Sequence, residues 1–154
     1  MLNNAPEKGW KILKLSDCTI YYPKNYFIFE KVKKSEGRST TIFRNKKSPD
    51  TWMVVGCEDI KDYDNFLDSF LEGFESRDRN SGTRTFVNKF IKKDYSKFQE
   101  LATHAHDGKH SVFWYKIENE KAYIFILSMP TADAFEYYKQ KSVAEDMMKR
   151  FEIK

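Results

Sequence analysis

The chain has 154 residues, and 40% of them are hydrophobic, including 13 Phe, 9 Tyr and 3 Trp. A compact domain of this length buries about 70% of the surface that its unfolded chain exposes, so this composition excludes a disordered chain. Lys and Arg outnumber Asp and Glu by 27 to 23, and a net charge of +4 is too small to indicate a nucleic-acid partner by itself. We predict one domain over residues 1–154 that folds without a cofactor.

The hydropathy pattern bears on the location of the protein. No segment approaches the roughly 18 consecutive apolar residues of a membrane-spanning helix, and residues 1–6 lack the apolar core of a signal peptide. We therefore expect a soluble protein that is cytoplasmic by default. A signal segment or lipid anchor removed before this sequence begins would leave the same pattern, so a periplasmic or envelope-anchored location is the alternative.

The first part of the chain has the pattern of short strands. Extended residues 11–31 are interrupted at Pro23, which cannot donate a hydrogen bond to a sheet. A turn is predicted at Ser35-Glu36-Gly37, and residues 39–44 form the second strand of the resulting hairpin. The apolar and β-branched run from Thr51 to Cys57 predicts a buried central strand.

A first amphipathic helix is predicted after this strand, with Asp64 as its N-cap. Its acidic residues Asp68, Glu72 and Glu75 fall on the solvent side. Its apolar face consists of Phe66, Leu67, Phe70, Leu71 and Phe74.

Residues 84–129 predict a four-stranded meander. Its turn signals are Lys93-Asp94, Asp107-Gly108 and Asn119-Glu120. The run from Ala122 to Met129 is apolar at successive positions, which predicts a strand that is covered on both faces.

A second helix closes the sequence. Pro130 ends the last strand, and Asp133 with Glu136 three residues later predicts a capping box. The apolar stripe of this helix consists of Tyr137, Ala144, Met148 and Phe151.

Two short motifs resemble those of the PsbP-like fold group. They are Tyr21-Tyr22-Pro23-Lys24-Asn25-Tyr26 near the start and Arg150-Phe151-Glu152-Ile153 at the end of the closing helix. The order of strands and helices is also similar. This group includes photosystem accessory subunits, a Ran-binding protein, bacterial DcrB-like lipoproteins and adaptor chaperones of type VI secretion. The resemblance implies an α+β fold, with a curled antiparallel β-sheet flanked by two amphipathic helices as an α/β/α sandwich. It implies no catalytic residues, and it implies a scaffold that binds other proteins.

Charge is distributed unevenly along the chain. Seven basic residues and one acid occur between Lys31 and Lys47, whereas seven acids and one base occur between Glu58 and Glu75. Lysines on a hairpin can protect a solvated sheet edge or bind an acidic protein. They can also neutralise phosphates of nucleic acid or lipid, although few aromatic residues lie between them to stack on bases. The candidate partner-binding residues are Lys33, Lys34, Arg38, Lys46 and Lys47.

All three histidines lie within one predicted hairpin. Strand alternation places His104 and His106 on one face, close enough to share a metal ion. If Asp107-Gly108 is a two-residue turn, His106 pairs with Lys109 and His110 points to the opposite face. If the loop has three residues and a bulge, His110 faces His106 and a three-histidine site forms. The sequence Asp-Gly indicates the two-residue turn, so a metal site is not favoured.

Cys18 and Cys57 lie in different predicted strands, without the spacing of a metal knuckle or of a redox C-x-x-C turn. We predict two buried, reduced thiols. A disulfide between them requires neighbouring strands and an oxidising compartment, and the sequence leaves this alternative open.

Known catalytic motifs are absent from the sequence. The six glycines are scattered and form no phosphate-binding loop. This observation and the resemblance favour a non-enzymatic accessory or adaptor domain that binds another protein, such as an immunity, chaperone-like or envelope protein. The alternative is a metal-dependent enzyme or metal sensor that uses His104, His106 and His110. The sequence predicts no oligomeric state.

Overall fold

The computed structural model describes residues 8–62, 65, 66, 68–70, 72, 84–87, 97–106, 109–130 and 134–154. These residues form ten strands: β1 (Trp10–Lys14), β2 (Cys18–Pro23), β3 (Phe27–Ser35), β4 (Arg38–Asn45), β5 (Trp52–Asp59), β6 (Arg84–Val87), β7 (Gln99–His106), β8 (Lys109–Glu118), β9 (Lys121–Pro130) and β10 (Glu152–Ile153). Residues 65, 66, 68–70 and 72 are helical, where the first helix is predicted. The C-terminal helix is Ala134–Arg150.

The strands form two antiparallel sheets. A seven-stranded sheet has the order β3-β4-β5-β9-β8-β7-β6, and β9 to β6 are the predicted meander. A three-stranded sheet has the order β1-β2-β10. The sequence pattern does not distinguish these two sheets. Strand β2 pairs with β1 along its whole length on one side and with the C-terminal β10 at Cys18 and Thr19 on the other.

The two strands predicted to be central lie inside the seven-stranded sheet. Strand β5 pairs with β4 and β9, and β9 pairs with β5 and β8. Phe125 and Leu127 of β9 are fully buried on one face, and Ile124 is buried on the other. The prediction that β9 is covered on both faces is therefore confirmed.

The larger sheet is packed on both faces. One face contacts the three-stranded sheet and the C-terminal helix through a cluster that includes Ile20, Phe43, Met53, Phe125, Leu127 and Met147. On the other face, Phe66 and Phe70 of the first helical segment pack against a second cluster, and the rings of Phe70 and Phe113 are 6.1 Å apart. The α+β class, with an antiparallel sheet flanked by two helices as an α/β/α sandwich, is confirmed.

Two tight turns lie at the same end of the larger sheet. Glu36 and Gly37 join β3 to β4, and Gly37 has φ 69°. Asn119 and Glu120 join β8 to β9 with φ 53° and 60°. Two left-handed residues give the Asn119–Glu120 turn the twist that its strands require, whereas the other turn has one, Gly37; both predicted turns are confirmed.

The first helical segment begins earlier than predicted. The carboxylate of Asp62 accepts a hydrogen bond from the Asn65 amide at 3.1 Å, and the Asp62 carbonyl accepts one from the Phe66 amide at 3.0 Å. These are the hydrogen bonds of an N-cap, so the cap is Asp62 rather than Asp64. Asp64, Leu67, Leu71, Phe74 and Glu75 lie outside the described residues.

The C-terminal helix buries the predicted stripe together with residues that the prediction omitted. Ala144 and Met148 are buried, as are Met147 and the polar Gln140. Phe151 follows the helix, and its ring lies 5.5 Å from that of Phe125. No helix within the described residues has the length and apolar character needed to span a membrane.

Candidate partner-binding surfaces

The β3–β4 hairpin separates the predicted basic residues into two groups. Lys33, Lys34 and Arg38 lie beside the Glu36–Gly37 turn and are called the hairpin tip. Lys46 and Lys47 follow β4 at its other end and are called the hairpin base. Strand β4 has eight residues, and at about 3.3 Å per residue its ends are about 25 Å apart. The five residues therefore do not form one compact patch.

Arg38 at the hairpin tip is paired with an acid of the neighbouring strand. Its Nη2 lies 2.7 Å from Oε1 of Glu58, and the two residues are opposite each other on β4 and β5. Lys33 and Lys34 are exposed and form no ion pair within the part of the chain that the structure describes. The tip thus carries one neutralised and two unpaired cations.

A polar cavity of about 230 Å³ lies beside the hairpin tip, between the two sheets. Lys121 in its wall lies 2.8 Å from Oδ1 of Asp59 and 3.3 Å from Oδ1 of Asp17. The hydrogen bond that Lys121 donates to Asp59 is the main cause of a pKa above the ordinary value of lysine, and the bond to Asp17 adds to it. Lys121 and Arg38 in the cavity wall are therefore neutralised by carboxylates of the same chain, whereas Lys34, which also lines the cavity, forms no ion pair among the described residues.

Both cysteines are buried near this cavity and are free. Sγ of Cys57 lies 4.0 Å from Oδ2 of Asp17. Burial, assisted by nearby negative charge, raises the pKa of Cys18 to about 12 and that of Cys57 to about 11. The prediction that both thiols are buried is confirmed, and the protonated form makes free thiols poor nucleophiles at neutral pH.

The hairpin base is held by the side chain of Asn45, which is buried. Its Oδ1 accepts hydrogen bonds from the amides of Lys47 and Ser48, each at 3.0 Å. Its Nδ2 donates to Oε1 of Gln140 in the C-terminal helix at 3.3 Å. The amide of Lys46 donates to the carbonyl of Tyr26 at 2.8 Å. These bonds fix the base against the C-terminal helix and the turn before β3.

An open groove of about 690 Å³ lies between that turn, β1 and the C-terminal helix. Its aromatic residues are Trp10, Tyr26, Phe135 and Tyr138. Phe135 and Tyr138 are 76% and 65% exposed, which is unusual for large aromatic side chains on a helix that buries its opposite face. We call this surface the aromatic groove.

The sequence analysis did not predict the aromatic groove. One signal was present, because Phe135 and Tyr138 are three residues apart and off the apolar stripe of the helix. Trp10 and Tyr26 come from distant segments, so only the folded chain brings them to the same place.

The histidine hairpin has the two-residue register. His106 is opposite Lys109, and His110 is opposite Ala105, so His110 does not share a face with positions 104 and 106. The ring of His110 contacts that of Tyr137, with centroids 5.7 Å apart. The side chains of His104 and His106 lie outside the described part of the structure. No group of three or more His, Cys, Asp or Glu residues within that part is arranged to hold a metal ion.

The two antiparallel sheets and the packed helices together form a distant PsbP-like fold. No protein-family model matches the sequence, and no curated protein sequence matches it. The solution structure of cyanobacterial PsbP (CyanoP) from Synechocystis sp. PCC 6803 is similar, with a TM-score of 0.68 and 14% sequence identity. The match covers 100% of this chain and 98% of that chain. At this level of identity the match shows the fold, and it confirms the resemblance found in the sequence.

Proposed function

We propose that this protein is a non-enzymatic accessory or adaptor domain that binds another protein with an acidic surface through the β3–β4 hairpin. The fold supports a scaffold role, because the PsbP-like resemblance implies protein binding and carries no catalytic residues. The buried thiols support the same role, because their raised pKa values make them unsuited to nucleophilic catalysis at neutral pH.

The observation that carries the proposal is a set of exposed lysines on one hairpin without carboxylate partners. Among the described residues, no ion pair involves Lys33 or Lys34 at the tip or Lys46 and Lys47 at the base. A cation without an internal partner attracts acidic groups of another molecule over about 8 Å at physiological ionic strength. Arg38 contributes less to such binding because Glu58 neutralises it.

The test uses matched pairs of charge reversals. The tip variant is Lys33→Glu with Lys34→Glu, and the base variant is Lys46→Glu with Lys47→Glu. The control is Lys11→Glu with Lys14→Glu, which reverses two exposed lysines of β1 in a different sheet. A partner captured from the native host and identified by mass spectrometry is purified, and its affinity is measured by calorimetry at two salt concentrations. We expect the tip variant, the base variant or both to weaken binding about tenfold, which is more than the control does.

Two results would contradict the proposal. Equal affinities for all three variants and the unmodified protein would remove the hairpin from the binding surface. Failure to capture any stoichiometric partner, together with about one transition-metal ion per purified chain, would favour the alternative metal-dependent function of the histidine hairpin.

A further inference from the structure

We infer that the aromatic groove is the docking site for a short acidic segment of the partner protein, with one aromatic or large aliphatic side chain of that segment seated between Phe135 and Tyr138. This inference rests on the proposed function, because it specifies where the partner binds and which chemistry it presents. It also assigns the hairpin base, rather than the tip, to the binding surface.

The exposed rings supply the apolar part of the site. Phe135 and Tyr138 lie in the groove at 76% and 65% exposure, so an incoming apolar side chain can cover both. The ring of Tyr138 contacts that of Tyr137 at 5.3 Å, and the other two rings of the groove contact cations of the chain. Arg150 lies 4.1 Å from the Trp10 ring, and Lys139 lies 5.9 Å from that of Tyr26. The apolar side chain of the partner therefore contacts the rings of Phe135 and Tyr138 on the C-terminal helix, while Trp10 and Tyr26 form the wall of the groove.

The charge around the groove selects an acidic segment. Among the described residues that line it, Lys8 and Lys139 are basic and Asp146 is the one acid. Lys24 lies between two further lining residues, Pro23 and Asn25. None of these lysines forms an ion pair within the described residues. Carboxylates on either side of an apolar anchor complement this arrangement.

The groove is continuous with the hairpin base. The Lys46 amide donates to the carbonyl of Tyr26, whose side chain lines the groove. Asn45 links the loop that carries Lys46 and Lys47 to Gln140, the neighbour of Lys139. The loop that carries Lys46 and Lys47 therefore adjoins residues that line the groove. The tip is about 25 Å from the base, at the other end of the hairpin.

The experiment uses fluorescence polarisation with a short labelled peptide that has one phenylalanine between aspartates and glutamates. A peptide with serine in place of phenylalanine tests the anchor, and a peptide with asparagine and glutamine in place of the acids tests the charge. The groove variant is Phe135→Ser with Tyr138→Ser, which leaves the core intact because both side chains are exposed. The matched control is Ile28→Ser, which changes a large exposed apolar residue on β3.

The expected result is that the acidic phenylalanine peptide binds the unmodified protein and that the groove variant weakens binding at least tenfold, whereas Ile28→Ser does not. We expect Lys46→Glu to weaken binding more than Lys33→Glu, and both altered peptides to bind more weakly than the original. The same two serine variants are then tested with the purified partner protein, where the same ranking is expected.

Other outcomes overturn the inference. Partner binding that is unchanged by Phe135→Ser with Tyr138→Ser but lost in the tip variant would remove the groove and leave the proposed function in place. Absence of peptide binding up to about 1 mM would have the same meaning if the partner still binds. Equal binding of the uncharged peptide, or binding of vesicles of anionic lipid in place of peptides, would overturn the assignment to an acidic protein segment.

Discussion

The tip and the base of the β3–β4 hairpin carry similar basic side chains in different surroundings. At the tip, Arg38 and the neighbouring Lys121 each contact carboxylates of the same chain, whereas Lys33 and Lys34 form no ion pair among the described residues. At the base, Lys46 and Lys47 lie beside uncharged hydrogen bonds and an aromatic groove, with no ion pair among the described residues. A cation neutralised within the chain contributes to the fold, whereas an unpaired cation is available to a partner. One basic stretch of sequence therefore contains residues with two different physical roles.

Asn45→Ala is expected to have the largest effect, because it removes the uncharged hydrogen bonds that hold the hairpin base. It removes hydrogen bonds to the Lys47 and Ser48 amides and to Gln140, and it leaves buried polar groups without partners. We expect the free energy of unfolding, measured by urea denaturation, to fall by about 2–3 kcal/mol. The control Asn25→Ala removes an exposed turn residue and should change stability by less than about 0.5 kcal/mol. Equal losses in both variants would mean that other contacts hold the base.

The thiols near the tip should make stability depend on alkaline pH. The folded-state pKa values of about 12 for Cys18 and about 11 for Cys57 lie above the ordinary value of 9.0. Below pH 9 both thiols are protonated in both states, so their contribution is fully present. From pH 9 to 11 the unfolded chain loses these protons first, so the contribution is lost as pH rises.

Between pH 8 and pH 10 the unmodified protein should therefore lose about 2 kcal/mol more stability than the variant Cys18→Ala with Cys57→Ala. Urea denaturation at the two pH values measures the difference. For each protein, the free energy of unfolding at pH 8 is the reference for its value at pH 10. Parallel losses in the two proteins would show that the folded state does not suppress ionisation of the thiols.

Lys121→Met tests the charged network of the tip cavity. It leaves Asp17 and Asp59 without the shared cation, and we expect a loss of about 1 kcal/mol at pH 7 that decreases when salt is added. The folded protein raises the pKa of Lys121 above the ordinary lysine value of 10.5. The ion pairs of Lys121 therefore stabilise the fold fully below pH 10.5, and this stabilisation is lost as pH rises above that value. Lys11→Met removes an exposed, unpaired lysine as the control. A salt-independent loss would indicate that packing of the side chain, and not its charge, stabilises the cavity.

The exposed pair of Arg38 and Glu58 should have the smallest effect. The side chain of Arg38 is 60% exposed and that of Glu58 is 30% exposed, so water screens their attraction. A double-mutant cycle with Arg38→Gln and Glu58→Gln should give a coupling free energy of about 0.5 kcal/mol or less. A larger value would show that the tip is more rigid than an ordinary exposed strand pair.

Several elements could be predicted because their signals are local. The Glu36–Gly37 and Asn119–Glu120 turns follow from residues that adopt left-handed backbone conformations, and strand β9 follows from its continuous apolar run. The first helix was placed correctly, but its cap was assigned to Asp64 instead of Asp62. Both aspartates are adequate caps, so sequence preference cannot choose between them. The order of elements, together with the motifs at residues 21–26 and 150–153, also indicated the PsbP-like fold.

The sequence by itself determined the α+β class, the central strands, the buried helix stripe and the stretch of basic residues, because each depends on neighbours a few positions apart. Only the tertiary structure decided that β1, β2 and β10 form a separate sheet and that the lysines of the hairpin lie at opposite ends. It also decided that Trp10 and Tyr26 meet Phe135 and Tyr138. Such pairings depend on which surfaces are buried together when distant segments pack, and a periodic pattern along one segment does not contain that information.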